Sequence, residues 1–117
     1  MFGLGKSSSK TAPKFGARLV GEWRAEAVRG DVVSHIFATF NGDGTFHIRT
    51  EVENGGHQPP RSQFGRYRVE AIDKERFRII TIDEFGSPTG SSVRRYIDEN
   101  TMLNELGQIT FQRVLRS

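Results

Sequence analysis

From residue 18 onward, apolar and polar side chains alternate in short runs broken by Gly, Asp, Asn and Pro. A period of two marks a strand with one face on a core. The first strand is predicted over residues 18–28, where Glu22, Arg24 and Glu26 alternate with Trp23, Ala25 and Ala27. Trp23 is the only tryptophan, and two alanines beside it on one face leave space above a large plug. The next run, residues 32–40, sets Ser34, Ile36, Ala38 and Phe40 against His35, Phe37 and Thr39. Both of its faces are partly apolar, so pattern alone leaves the inward set open. Residues 45–53 alternate most clearly, with Phe46, Ile48, Thr50 and Val52 inward and His47, Arg49, Glu51 and Glu53 toward water. Between these two runs, Asn41-Gly42-Asp43-Gly44 is a hairpin signal, because Gly, Asn and Asp tolerate positive φ. A Gly bulge there would put Phe40 and Phe46 on one face.

Five more runs follow. Residues 64–71 place Tyr67, Val69 and Ala71 opposite Arg66, Arg68 and Glu70, and residues 76–82 place Phe77, Ile79 and Thr81 together. Strands are further predicted over 91–97, 101–104 and 108–115, the last with Ile109, Phe111 and Arg113 on one face. No segment reads as a helix. Eight short strands with close turn signals predict an all-β fold, and short connections make neighbours antiparallel. The simplest arrangement is an eight-stranded up-and-down barrel, whose closure removes exposed edges. In such a meander the turns at 41–44, 72–75 and 98–100 share the end where the first strand begins, and all are tight. The long loops at 54–61 and 83–90 fall at the opposite end. One end is therefore expected to be closed by Trp23, with Phe15 folded back over it, and the other to be a mouth.

Composition narrows the class. A chain of 117 residues makes one domain. It has no cysteine, so neither disulfides nor thiolate metal sites are available. No apolar run is long enough to span a membrane as a helix. The net charge of +3 sits in residues 1–18, which carry Lys6, Lys10, Lys14 and Arg18 and no acid. The remainder holds 13 basic and 14 acidic residues, so composition gives no basic face for nucleic acid. Residues 1–17 read as a flexible basic tail, or as a basic arm for an acidic surface, and residues 18–117 as the barrel domain. The tail lacks the apolar stretch of a secretory signal, which points to the cytoplasm, or to the periplasm if a signal has been removed. Nothing in the sequence sets an oligomeric state.

Leu19-Val20-Gly21-Glu22-Trp23 resembles the Gly-x-Trp opening of the first strand in lipocalins and the wider calycin group. Phe40 to Phe46, Gly65-Arg66-Tyr67 and Phe111-Gln112-Arg113 are similar to segments of small bacterial lipocalin-like domains. The resemblance covers residues 18–115 as a pattern. It implies structural roles for Gly21, Trp23 and Arg113, with the Arg113 guanidinium packed across Trp23. The chain departs from true lipocalins in its length, in lacking a helix after the last strand and in lacking a Thr-Asp-Tyr signature. It also lacks the polar set that biotin binding needs.

Two functions follow from different classes. The first is a carrier or sensor of a small, mainly hydrophobic ligand, held in a void lined by Ala25, Ala27, Ile36, Phe46, Ile48, Tyr67 and Phe77. Arg94-Arg95-Tyr96 adds a candidate carboxylate clamp if Arg94 and Tyr96 share the inward face; the opposite phase would send Arg95 inward. The pair resembles the Arg-x-Tyr of fatty-acid-binding proteins, two strands earlier in the chain. The second function is an interaction module with a filled core, acting through its tail or outer face. His35, His47 and His57 have no metal spacing, and no cofactor is expected. His57, Arg61 and Asp83-Glu84 could meet at the mouth, but no nucleophile motif accompanies them, and catalysis is not expected.

Overall fold

The computed structural model describes residues 14–53, 59–106 and 108–115. Eight strands follow in order: β1 (Gly21–Arg29), β2 (Val32–Phe40), β3 (Thr45–Glu53), β4 (Arg61–Ala71), β5 (Arg76–Ile82), β6 (Pro88–Asp98), β7 (Thr101–Asn104) and β8 (Ile109–Arg113). Each pairs antiparallel with the next, and β8 returns to β1. The fold is the closed eight-stranded antiparallel up-and-down barrel that the alternation predicts.

Register settles which face is inside. Phe111, Ala25, Ile36, Thr50 and Arg61 lie on one continuous pairing row from β8 to β4. Phe40 pairs with Phe46, as a bulged turn requires, and Gly44 has a φ of 89°. The ambiguous strand β2 therefore turns Ser34, Ile36, Ala38 and Phe40 inward. Boundaries differ at β1, at β8, which spans Ile109–Arg113 rather than 108–115, and at two strands that are longer than predicted. β4 begins at Arg61 rather than at 64, and β6 spans Pro88–Asp98 rather than 91–97. Their added residues are mostly polar or small on both faces, so alternation does not reveal them, while pairing with β3 and β5 does extend them.

A correction concerns the amino-terminal side of β1. Residues 14–19 form a helix, and β1 starts at Gly21, not at residue 18. Of the expected flexible tail, residues 1–13 lie outside the described residues, whereas 14–17 belong to this helix. A single turn and a half is too short for a 3.6-residue period to register, and such a helix depends on packing. Phe15 and Leu19, four residues apart, supply that packing by facing the barrel together. Both are buried. No helix among the described residues is long and apolar enough to cross a membrane.

The helix closes the barrel at the Trp23 end, called the base below. Phe15 stacks on Phe77 with centroids 4.9 Å apart, and Phe77 stacks on Tyr96 at 4.8 Å. Trp23, Phe77, Leu19 and Met102 are fully buried there. The last carbonyls of a helix have no partner within it, and here the barrel provides them. The indole Nε1 of Trp23 donates to the Leu19 carbonyl at 2.8 Å. Arg113 donates from Nη2 to the Arg18 carbonyl and from Nη1 to that of Val20, the latter at 3.0 Å. Its guanidinium lies over the Trp23 ring, 4.3 Å from the centroid, a contact of roughly 0.5–2 kcal/mol. Gly21 joins helix to strand with a φ of 133°, and a Cβ there would stand 2.9 Å from Arg113 Nη1.

Two stability changes are expected in urea unfolding of the full chain. Trp23→Ala should cost ~3–5 kcal/mol, because it empties the base and orphans the Leu19 carbonyl; a loss under ~1 kcal/mol would contradict the closure described. Gly21→Ala should cost ~1–3 kcal/mol through strained φ and displaced Arg113; an unchanged midpoint would contradict the close approach.

Candidate functional site

Above the base the inward face changes character. Ala27, Ile36, Ile48, Val52 and Ile109 hold inward register positions yet are only half-buried. The predicted lining residues thus divide. Ala25 belongs to the buried core, whereas Ala27, Ile36 and Ile48 are half-buried, with Ile36 and Ile48 packed against that core. Phe77 lies in the base under Phe15. Phe46 and Tyr67 gather with Phe40 beside the 41–44 turn, the Phe40 and Tyr67 rings meeting edge-on at 5.2 Å. The Tyr67 hydroxyl donates to the Asn41 carbonyl at 2.9 Å, which fixes that ring against the turn. Gly65 sits opposite Phe46 in the pairing, and a Cβ there would come within 3.1 Å of the ring.

The rim is uneven because β7 and β8 have only four and five residues. Ladder pairing of β6 with β7 starts at Arg94, so β6 from Pro88 to Val93 rises above that ladder. Pairing of β1 with β8 ends at Ala25, so β1 beyond Ala25 rises likewise. The wall is therefore low across β7 and β8, next to Arg94.

Arg94 and Tyr96 do share the inward face, and Arg95 pairs with Leu103 and Arg76 on the outside. They are not assembled as a clamp. The Tyr96 hydroxyl donates to the Phe15 carbonyl at 2.7 Å, tying the phenol to the helix. Burial raises the Tyr96 pKa above its ordinary value. Arg94 is 7% exposed. Its Nε donates to Ser92 Oγ at 3.0 Å, and its guanidinium covers the Phe111 ring at 4.6 Å. Its Nη1 is buried and meets no hydrogen-bond partner. Burial lowers its pKa to about 10, against a smaller opposing effect from the Tyr96 phenol, so it stays a cation at neutral pH.

Sequence reasoning did not single out Ser92, Asn104 or Ile109, which surround this position. Arg94 pairs with Asn104 on β7, and Asn104 with Ile109 on β8. No single strand reveals this row; it appears only with the pairing of three.

The other candidate chemistry disperses. Asp83 Oδ1 accepts from the amides of Phe85 and Ser87, making it a turn former. Arg61 is exposed on the rim, and His57 lies outside the described residues. His47 stacks on the outer Phe64 at 4.5 Å. His35 pairs with Glu53 at 2.8 Å on the outer wall, and that bond raises its pKa. Among the described residues no three His, Cys, Asp or Glu side chains gather to hold a metal. A cleft on the outer wall, edged by Arg24, Glu26, His35, Phe37, Thr110 and Gln112, is open to solvent and mixes polar and apolar surface. No family model, curated protein or solved structure matches the chain.

A buried cation without a counter-charge is costly, and replacing it with an apolar side chain of similar volume is often neutral or stabilising. Because the folded pKa is lowered to about 10, the cost is present in full below that pH and is relieved as pH rises through it. Arg94→Met, free of any ligand at pH 7, should match or exceed the parent in urea midpoint. A loss of more than ~2 kcal/mol would show that the guanidinium is a structural tie instead.

Proposed function

We propose that the barrel holds a small, mainly apolar molecule in the mouth half of its interior, as a carrier or sensor and not as a catalyst. The observation behind this reading is the contrast between the two halves of one inward face. At the base, large side chains are fully buried. Toward the mouth, Ala27, Ile36, Ile48, Val52 and Ile109 turn apolar surface inward but leave part of it in contact with solvent. Covering such surface gains roughly 25 cal/mol per Å². Sites of this kind are concave and mostly apolar with a few placed polar groups, and the mouths of β-barrels are common locations for them. The low rim over β7 and β8 gives a way in. The lipocalin-like features of Gly21, Trp23 and Arg113 agree with the same reading, since they close one end of the barrel and leave the other to a ligand.

The test is titration of the full chain with N-phenyl-1-naphthylamine, a neutral apolar probe whose emission rises out of water. The parent should bind it saturably. Ala27→Phe, which fills the mouth, should weaken binding at least about fivefold while thermal unfolding stays put. Phe37→Ser, on the outer wall, should leave binding unchanged. Absence of saturable binding, or equal sensitivity at Phe37, would count against an interior site.

A further inference from the structure

Residues 19–117 balance 13 basic against 14 acidic side chains, but the fold sorts them. The outward register positions of β1, β2 and β3 hold Glu22, Glu26, Glu51 and Glu53 against Arg24 and Arg49. Those of β4, β5 and β6 hold Arg66, Arg68, Arg76, Arg78 and Arg95. Their acids are Glu70 and Asp98, and Asp98 caps the turn into β7. One outer wall is therefore acidic and another basic, a division that a balanced total conceals.

The five arginines form a line. Arg95 pairs with Arg76 near the base, Arg78 follows on β5, and Arg68 and Arg66 continue on β4 toward the mouth. Residues two apart on a strand are about 7 Å apart, a step comparable with that between phosphates of an extended single strand. Arg76 is held by Asp73 at 2.8 Å and Arg78 by Glu70 at 3.4 Å, and exposed pairs of this kind are weak. Arg68 is exposed and has no ion-pair partner among the described residues. Arg68 and Arg78 flank a groove floored by Ile80 and left open by Gly90 and Ser91. Two bare aromatic rings stand at the upper end of the line. Phe64 precedes Arg66 by two residues on the same face, is 72% exposed and is backed by His47. Phe85, 84% exposed, lies on the turn whose Asp83 and Glu84 carbonyls accept from Arg66.

We propose that the outer wall of β4, β5 and β6 binds single-stranded nucleic acid, with phosphates along the arginine line and bases stacked on Phe64 and Phe85. This is independent of the container reading above, since it uses the other face of the strands. A basic track combined with exposed rings is how sequence-tolerant binders hold single strands, because every base has a face to stack. The cations on these strands are all arginine, which grips phosphate through a planar fork and stacks on bases. The wall is convex, and so cannot enter the groove of a duplex as a helix or ribbon does. An acidic peptide would use the charges and leave the rings bare. An anionic lipid surface is flat, whereas this wall curves across three strands. The acidic wall of β1 to β3 repels a polyanion and confines it to the arginine line.

The experiment follows the anisotropy of fluorescein-labelled dodecamers of uridylate and of thymidylate, titrated with the full chain at several salt concentrations. The parent should bind at least one of them saturably. Arg68→Gln with Arg78→Gln should weaken binding at least about tenfold at low salt and flatten the slope of log K against log salt by roughly 0.7 per arginine removed. Arg24→Gln with Arg49→Gln removes the same charge from the other wall and should change neither. Phe64→Ser should weaken binding at least about fivefold at every salt concentration with the slope kept. Lys6→Gln with Lys10→Gln should weaken it less than the Arg68 and Arg78 pair does. Absence of saturable binding by the parent overturns the proposal. Equal losses from the two arginine pairs, or a larger loss from the two lysines, overturn the wall as the site. Unlabelled dodecaglutamate, or vesicles of phosphatidylcholine with phosphatidylglycerol, should displace the labelled strand at least about tenfold less well than unlabelled oligonucleotide. Equal displacement by the peptide or by the vesicles overturns the nucleic-acid assignment in favour of that partner. The competition uses the parent alone, so a folding defect in any variant leaves the proposal open to refutation.

Discussion

The contact between Arg113 and Trp23 holds the base together, and much of the remaining structure depends on that base. An eight-stranded barrel has two open ends, and a chain of 117 residues has little material to close both. Among the described residues, the base is closed thoroughly. The indole fills the opening, the guanidinium covers the indole, and both side chains donate to carbonyls that the short helix leaves unpaired. The helix is thereby fixed across the base, and Phe15 is delivered into the stack with Phe77 and Tyr96. The Gly-x-Trp spacing has a physical origin in this arrangement. The glycine must turn the chain at positive φ under the arginine, and the tryptophan must point inward two residues later.

The periodicity carried most of the architecture, because a barrel turns one face of every strand to a common interior. Trp23, Phe46, Ile48 and Phe77 were legible as inward from their own strands. Three features were not. The helix at 14–19 is too short to leave a periodic trace and exists through contacts made some eighty residues away, such as Tyr96 with Phe15. The extra residues of β4 and β6 are polar on both faces and are strand only by pairing. The candidate site needed more still. Arg94 and Tyr96 alternate in a way that invites a clamp, but the pattern left open whether they or Arg95 face inward, and only the pairing decides it. Their divergence was hidden, because Tyr96 is claimed by a backbone carbonyl of the helix that the pattern did not show.

The two halves of the interior do different work with the same strand period. Near the base the inward positions are Trp, Phe, Tyr, Leu and Met, and stacking among them fills the space. Toward the mouth the inward positions carry Ala, Ile, Ser and Thr, and Ile36, Ile48 and Ile109 pack against that core while staying half-buried. Strand length adds to the division. β2 and β3 run nine residues each, whereas β7 and β8 stop after four and five. The core is thus concentrated where the helix adds to it.

Arg94 is the residue that fits the fold least. Small domains are stable by roughly 5–15 kcal/mol, and an unpaired cation inside the wall draws on that margin. Local rules of packing and polar satisfaction tend to be broken where function requires it. A leucine or methionine at residue 94 would continue the apolar stack from Phe77 and Met102 at no electrostatic cost. The chain instead anchors a guanidinium with Ser92 and Phe111 and leaves one nitrogen facing no partner.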